Sequence, residues 1–168
     1  MLEVFFLSTK RPTTKKFCYI KLTNLHSRTF HRQEGDRMFH NVEMGPAERE
    51  NQSQLNVFTA SPGEYIVHAN KYLRLPVPEV TGNIIESSIG RMNTFNSFQA
   101  PKTRNDVIRM LGDQSNETYQ VFREKDSKDI VKTICVGIFD CRNRTWSLYS
   151  DNPKFNAPLV VLPLVIKE

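Results

Sequence analysis

The segment 133–140 (TICVGIFD) is apolar along nearly its whole length, and it constrains the fold more than any other part of the chain. A strand without alternation is typical of a sheet that is covered on both faces. The polar residues 141–144 follow as a turn, and residues 145–149 then alternate around Trp146 and Leu148. These segments predict a hairpin inside a layered structure.

A second hairpin is predicted earlier in the chain. Residues 54–59 alternate between two faces, as a half-buried strand does. Residues 61–63, Ser-Pro-Gly, are a turn signal, and residues 64–68 have the pattern of the second strand. The two prolines in residues 75–78 exclude a helix or a central strand, so we expect a surface loop there.

Two helices are predicted between the hairpins. The first spans residues 84–98, and its expected inward face is formed by Ile85, Ile89, Met92 and Asn96. The second spans residues 104–111, because Thr103 and Asp106 have the spacing of a capping box and Gly112 is a stop signal.

The predicted elements define the fold class. Residues 159–166 are apolar but contain Pro163, which is typical of an edge strand or of a tail laid on the core. The chain of 168 residues suits one domain, and a domain of that size buries about two-thirds of its unfolded surface. The sequence therefore predicts an α+β fold or a layered αββα arrangement.

The positive charge of the chain is confined to its beginning. Residues 1–40 contain eight Lys and Arg against three acids, which accounts for the whole net charge of +5. A basic chain suggests nucleic-acid binding, but no recognition motif or aromatic platform lies beside these charges, so nucleic acid is disfavoured as a partner. We predict a basic, poorly patterned N-terminal segment (1–45), with one possible strand from Phe17, and a folded part (46–168).

Targeting and metal signals are sparse. The apolar run at residues 4–7 is too short for a signal peptide and no stretch has the length of a membrane span, so we expect a cytoplasmic protein with no membrane partner. The scattered His26, His31 and His40 share no helical face and have no completing ligands. The sequence therefore predicts no metal site and no cofactor.

Two groups of polar residues are candidates for chemistry. The strand 64–68 delivers His68 and Asn70 to its carboxyl end, and an asparagine amide can donate to a developing oxyanion. Ser87, Ser88 and Arg91 lie at the beginning of the first predicted helix, where a guanidinium can hold a carboxylate or support a nucleophile.

Together, and in this order, these motifs resemble the peptidase C45 family, the acyl-coenzyme A:6-aminopenicillanic acid acyl-transferase group of the N-terminal-nucleophile hydrolases. That family, related to the choloylglycine hydrolases, has a His-Thr-Asn-His-Phe-Leu type motif where residues 68–73 read His-Ala-Asn-Lys-Tyr-Leu. A Ser-Ser-x-x-Arg segment follows after a proline-containing loop, here residues 87–91. The resemblance extends over about residues 54–164.

The resemblance implies a partial αββα sandwich and amide-bond chemistry on a small-molecule acyl amide or acyl-coenzyme A. In the family a cysteine freed by self-cleavage attacks the acyl group, and its own α-amino group acts as the base. The resemblance implies catalytic roles for Asn70, at the oxyanion or substrate, and for Arg91, beside the nucleophile. It assigns His68, Ser87 and Ser88 to substrate binding.

The family's nucleophile has no recognisable counterpart in this chain. Cys18 lacks the small flanking residues that self-cleavage uses, whereas Cys135 and Cys141 follow the Asn and Arg motifs, in the wrong chain order. We therefore expect structural thiols and the C-terminal part of such an enzyme, inactive alone, with a complementing N-terminal half as a candidate partner. The alternative is a non-catalytic pseudoenzyme or binding module that uses the same sheet.

Overall fold

The computed structural model describes residues 2–7, 17–22, 39–45, 54–60, 64–76, 83–124, 132–140 and 143–165. Their strands are β1 (Leu2–Leu7), β2 (Phe17–Leu22), β3 (Phe39–Gly45), β4 (Gln54–Ala60), β5 (Tyr65–Ile66), β6 (Val136–Asp140), β7 (Thr145–Tyr149) and β8 (Val160–Pro163). Their helices are α1 (Asn83–Ser97) and α2 (Arg104–Leu111). These elements form a mixed α+β structure, which confirms that part of the predicted fold class.

An antiparallel sheet of six strands has the order β5-β1-β2-β6-β7-β8. Strand β6 lies inside it, with Ile138 opposite Tyr19 of β2 and opposite Ser147 of β7. Val136 and Ile138, which share one face of β6, are fully buried, whereas Phe139 on the other face is half-buried. Ile134, before the strand, is 82% exposed, so the predicted cover of both faces of residues 133–140 is confirmed only in part. The predicted hairpin of β6 and β7 is confirmed, although the strand begins at Val136 rather than at residue 133.

The basic part of the chain contributes two strands to this sheet. Strand β2 confirms the strand predicted from Phe17, whereas β1 was not predicted because its apolar run is short. Strands from both sides of the boundary predicted at residue 45 thus share one sheet, and the division into two segments stays a prediction. His26, His31, Cys141 and the turn 61–63 lie outside the described residues.

The predicted hairpin of residues 54–59 with 64–68 is wrong. Strand β4 pairs along its whole length with β3 in a separate two-stranded sheet. The short β5 pairs instead with β1, where Tyr65 lies opposite Leu7. The physical reason is that β3 offers β4 an antiparallel partner along all seven of its residues, whereas β5 is only two residues long and pairs with β1; the sequence patterning did not detect β3.

The inward face of α1 also differs from the prediction. Ile89 is 43% exposed and Asn96 is exposed, whereas Ser87, Ser88, Arg91 and Phe95 are buried. These buried positions recur every three to four residues, so they form a single helical face. Of the predicted face, Met92 packs against the core. Hydropathy alone did not identify the buried polar positions, because one acceptor of Arg91, Asn70 Oδ1, comes from another part of the chain.

Helix α2 has the predicted bounds, and its N-terminus has the predicted capping box. Thr103 Oγ1 accepts a hydrogen bond from the amide of Asp106 (3.1 Å), and the Asp106 carboxylate accepts from the amide of Thr103 (2.8 Å). At the other end, the buried Asn152 donates through Nδ2 to the carbonyl of Gly112 (3.0 Å). A local capping box therefore defines the beginning of α2, whereas its end is also held by a residue that is distant in the sequence.

The two helices pack against one face of β6 and β7 in the large sheet. The core that they share with β6, β7 and the loop after α2 consists of Phe95, Val107, Met110, Leu111, Val121, Phe122, Val136, Ile138 and Tyr149. On the opposite face, Phe139 and Trp146 are half-buried and stack with ring centroids 5.3 Å apart. Strand β8 pairs with β7 alone, which confirms the predicted edge strand. Neither of the described helices is long and apolar enough to cross a bilayer.

Gly90 is in close contact with the ring of Tyr119. A Cβ at Gly90 would lie 2.7 Å from Tyr119 Cδ2 and 2.9 Å from Tyr119 Cβ. The Tyr119 hydroxyl donates to Glu86 Oε2 (2.9 Å), so the ring lies across one turn of α1. A glycine in a helix interior normally destabilises the helix by about 1 kcal/mol relative to alanine. The close contact with Tyr119 explains why a glycine occupies this position.

We predict that Gly90→Ala lowers the free energy of unfolding by about 1 kcal/mol, because overpacking outweighs the gain in helix propensity. The matched control is Asn93→Ala at an exposed position of the same helix, which should raise stability slightly. Urea unfolding followed by circular dichroism measures both changes. In a Tyr119→Gly background, which removes both the ring and the Cβ of Tyr119, the Gly90→Ala change should become stabilising, and a destabilisation of equal size there would contradict the explanation.

Candidate functional site

Asn70 lies in a tight turn that follows β5. The amide of Lys71 donates to the carbonyl of Ala69 (2.9 Å), which closes a three-residue turn centred on Asn70. The preceding His68 and Ala69 are each 1% exposed, whereas Asn70 is half-buried. The chain therefore leaves the core at Asn70 and presents its amide at the boundary between the core and the surface.

Arg91 of α1 is fully buried and contacts this turn. Its Nη2 donates to Asn70 Oδ1 (3.1 Å) and to Ser88 Oγ (3.2 Å), and its Nε donates to the carbonyl of Ser87 (3.2 Å). The structure thus brings together Asn70, Ser87, Ser88 and Arg91, which the sequence had placed in two separate motifs. Because α1 begins at Asn83, the two serines lie in its second turn rather than at its beginning.

The contact between Asn70 and Arg91 has a chemical consequence. Since Asn70 Oδ1 accepts from the guanidinium, the Nδ2 end of the same amide is its donor end and has a defined direction. The guanidinium of Arg91 is buried, and a buried cation favours negative charge developing nearby. The arrangement is therefore suited to stabilising an oxyanion beside Asn70.

His68 contacts a residue outside the group of Asn70, Ser87, Ser88 and Arg91. Its Nε2 is 3.3 Å from Oε1 of Glu43, a buried residue of β3. The imidazole is therefore directed toward the two-stranded sheet of β3 and β4. Its predicted role in substrate binding, like those of Ser87 and Ser88, stays a prediction.

The Glu43 carboxylate is also the acceptor for three consecutive backbone amides. Oε1 accepts from Leu73 (2.8 Å), and Oε2 accepts from Arg74 (2.8 Å) and from Leu75 (3.1 Å). Burial alone would raise the pKa of Glu43. The hydrogen bond from His68, the backbone amides and the nearby Arg74 charge outweigh that effect and lower the pKa from 4.5 to about 2.

Arg74 joins the same loop to both strands of the small sheet. Its guanidinium donates to Asn56 Oδ1 (2.8 Å) and to Asn41 Oδ1, and lies 3.7 Å from Glu43 Oε1. It also lies over the Phe58 ring, 5.1 Å from the centroid. The face of the small sheet that carries Asn41 and Glu43 is buried against this loop, whereas Leu55 and Val57 on the other face are 62% and 53% exposed.

Sequence reasoning missed Glu43, Asn41, Asn56 and Arg74. Asn41 and Glu43 are two residues apart, and a period-2 polar pattern ordinarily marks the solvent face of a strand. The pattern of strand β3 was the available signal, but β3 follows a basic and poorly patterned stretch of sequence, so no strand was predicted there. Hydropathy patterning assigns polar residues to the solvent face of a strand, so it does not detect a polar face that is buried.

Two of the three cysteines lie within the described residues. Cys18 lies on β2 with Phe6 and Phe139 opposite it, and Cys135 is half-buried before β6. Within the described ranges, no three His, Cys, Asp or Glu side chains are close enough to hold a metal ion.

We predict that Glu43 makes folding stability depend on pH. Its pKa in the folded chain is about 2, below the ordinary 4.5, so the carboxylate stabilises the fold above about pH 4.5 and this contribution is lost as pH falls toward 2. At pH 7, Glu43→Gln should lower the free energy of unfolding by about 3 kcal/mol, because it leaves buried donors unpaired.

Urea unfolding of both proteins between pH 7 and pH 3 checks this prediction, and the difference between them should shrink as pH falls. The exposed Glu117→Gln variant is the control and should follow the wild-type protein throughout. A difference that stays constant with pH would contradict the prediction.

Comparison with known proteins identifies the family of the chain. A model of the acyl-coenzyme A:6-aminopenicillanic acid acyl-transferase family matches residues 20–155. The chain is 46% identical over 133 residues to the beta-alanyl-dopamine/carcinine hydrolase of Drosophila melanogaster, a match that covers 78% of this chain and 34% of that relative. The chain thus spans about a third of the relative's length, and no solved structure matches it. Because the family match extends over most of the chain, the protein belongs to the acyl-coenzyme A:6-aminopenicillanic acid acyl-transferase family.

Proposed function

We propose that this chain supplies the oxyanion-binding part of an active site that hydrolyses amide bonds or transfers acyl groups. The observation that carries the proposal is the 3.1 Å contact between Asn70 Oδ1 and the buried Arg91 guanidinium. It joins the two motifs on which the family resemblance rests. Membership of the family supports the reaction class, and the hydrolase activity of the Drosophila relative favours water as the acyl acceptor.

In the proposed reaction, a thiolate attacks the carbonyl carbon of an acyl amide and the carbonyl oxygen becomes an oxyanion. Asn70 Nδ2 donates a hydrogen bond to that oxygen, while Arg91 holds Asn70 Oδ1 and adds positive potential. Collapse of the intermediate breaks the C–N bond, and the amine leaves with a proton. Water or a second amine then attacks the thioester and releases the thiolate.

Burial suggests how the roles are divided. Ser87, Ser88 and Arg91 are at most 2% exposed, whereas Asn70 is half-buried. Asn70 is therefore the member of this group that we propose to touch substrate. The other three act through it, because they fix the direction of its amide.

The nucleophile is a separate component of the proposal. None of Cys18, Cys135 and Cys141 has the sequence context of a self-cleaving N-terminal cysteine. We propose that the cysteine is carried by a segment equivalent to the part of the Drosophila relative that this chain does not span, on the same polypeptide or on a complementing N-terminal half. Residues 1–168 alone are then inactive, and the stacked Phe139 and Trp146 face is where the second sheet of an αββα sandwich would pack.

The substrate class follows from the same comparison. The Drosophila relative is named for β-alanyl-dopamine and carcinine, so small β-alanyl amides are the first substrates to test. An acyl-coenzyme A with an added amine is the second, since the family is named for that acyl transfer. Release of free amine reports hydrolysis, and formation of a new amide reports transfer.

We predict that Asn70→Ala lowers kcat for β-alanyl-dopamine hydrolysis by about 100- to 1,000-fold with little change in KM, because the lost donor acts in the transition state. The assay uses the chain together with the segment that supplies the nucleophile, and measures released dopamine by chromatography. The matched control is Asn96→Ala, an exposed asparagine of α1, which should keep wild-type kinetics.

Two outcomes would contradict the proposal. Equal kcat for Asn70→Ala and wild type would remove Asn70 from the oxyanion site. Activity of residues 1–168 alone that is lost when Cys18, Cys135 and Cys141 are replaced by alanine would place the nucleophile within this chain. Substrate binding without any release of amine would instead favour a binding module that uses the same sheet.

A further inference from the structure

The contacts of Glu43 flank Asn70 on both sides in the sequence. Two residues before Asn70, His68 Nε2 lies 3.3 Å from the carboxylate, and three to five residues after it the amides of Leu73, Arg74 and Leu75 donate to the same carboxylate. The turn that carries Asn70 is therefore held at both ends by one buried side chain from a different sheet.

This arrangement restricts the turn more than a surface ion pair would. A carboxylate accepts through both oxygens, and here each oxygen accepts at least one backbone amide. Backbone amides have fixed directions, so three consecutive donors converging on one group define the path of the loop. Arg74 reinforces this path, because its side chain contacts Asn41 and Asn56 on the same small sheet.

We infer that Glu43 is a positioning residue that holds the Asn70 turn against Arg91, so that the small sheet of β3 and β4 determines the geometry of the oxyanion site. This inference rests on the function proposed above for Asn70. Glu43 donates nothing to the substrate and takes no proton in the reaction. It acts through Asn70, since misplacing a catalytic group by about 1 Å can cost about 100-fold in rate.

Glu43→Gln is the informative substitution. Glutamine keeps the size of the side chain but replaces one acceptor oxygen with an NH2 group, which would face backbone donors. We expect kcat for β-alanyl-dopamine hydrolysis to fall about 10- to 100-fold while KM changes less than about threefold. Glu117→Gln makes the same chemical change at an exposed position and should leave both constants unchanged.

A double-mutant cycle separates positioning from general loss of structure. If Glu43 acts through Asn70, then Glu43→Gln combined with Asn70→Ala should be no slower than Asn70→Ala alone, within about twofold. If Glu43 only stabilises the fold, the two effects should multiply, and that result would overturn the inference.

Hydrogen exchange tests the anchor without any assay of activity. In Glu43→Gln, the amides of Leu73, Arg74 and Leu75 should exchange at least about tenfold faster, and faster than the amides of β6, which open only when the whole fold opens. Unchanged exchange at these three amides would overturn the inference, whatever the kinetics show.

The exchange experiment also separates failure of this inference from failure of the proposed function. If the wild-type assembly hydrolyses no acyl amide, the proposed function fails, and exchange alone decides whether Glu43 holds the turn. If Glu43→Gln does not fold, Glu43→Asp replaces it in both experiments, since it keeps the charge but shortens the reach. Faster exchange at residues 73–75 in that variant supports the inference, and wild-type exchange contradicts it.

Discussion

The buried carboxylate of Glu43 is the interaction on which much of the described structure depends. A charged group inside a protein is stable only when its lone pairs are satisfied, and here backbone amides, His68 and Arg74 satisfy them. Those partners all belong to one loop, whereas Glu43 belongs to a sheet that shares no strand pairing with the large sheet. One ionised group therefore joins the small sheet to the loop that carries Asn70.

A similar principle governs helix α1. Its buried face contains Ser87, Ser88 and Arg91, and such a face is favourable only where acceptors are already in place. The turn at Asn70 provides one of these acceptors, and the helix itself provides others at Ser87 and Ser88. The helix packs its apolar residue Phe95 into the shared core and presents its cation to the turn. The orientation of α1 thus depends on the same loop that Glu43 holds.

The sequence predictions were correct where an element depends on residues close together in the sequence, and wrong where it depends on a distant segment. The bounds of α2 were predicted because Thr103, Asp106 and Gly112 act on the helix locally. The β6–β7 hairpin was predicted because a nearly continuous apolar strand, a short turn and an alternating strand are adjacent. The predicted pairing of β4 was wrong, because its partner β3 lies in a segment that we interpreted as basic and poorly patterned, and no strand was predicted there. The family match likewise begins at residue 20, inside that segment.

The sequence by itself determined the family, the α+β class and the two motifs that contain Asn70 and Arg91, because short-range patterns and residue order carry that information. Only the tertiary structure decided that the two motifs touch, and that Asn70 is half-buried whereas Ser87, Ser88 and Arg91 are buried. It also decided that Glu43 of β3 binds the loop that follows β5. The physical reason is that a buried polar residue and a solvated one are identical in sequence. What separates them is whether distant parts of the chain supply the missing hydrogen bonds.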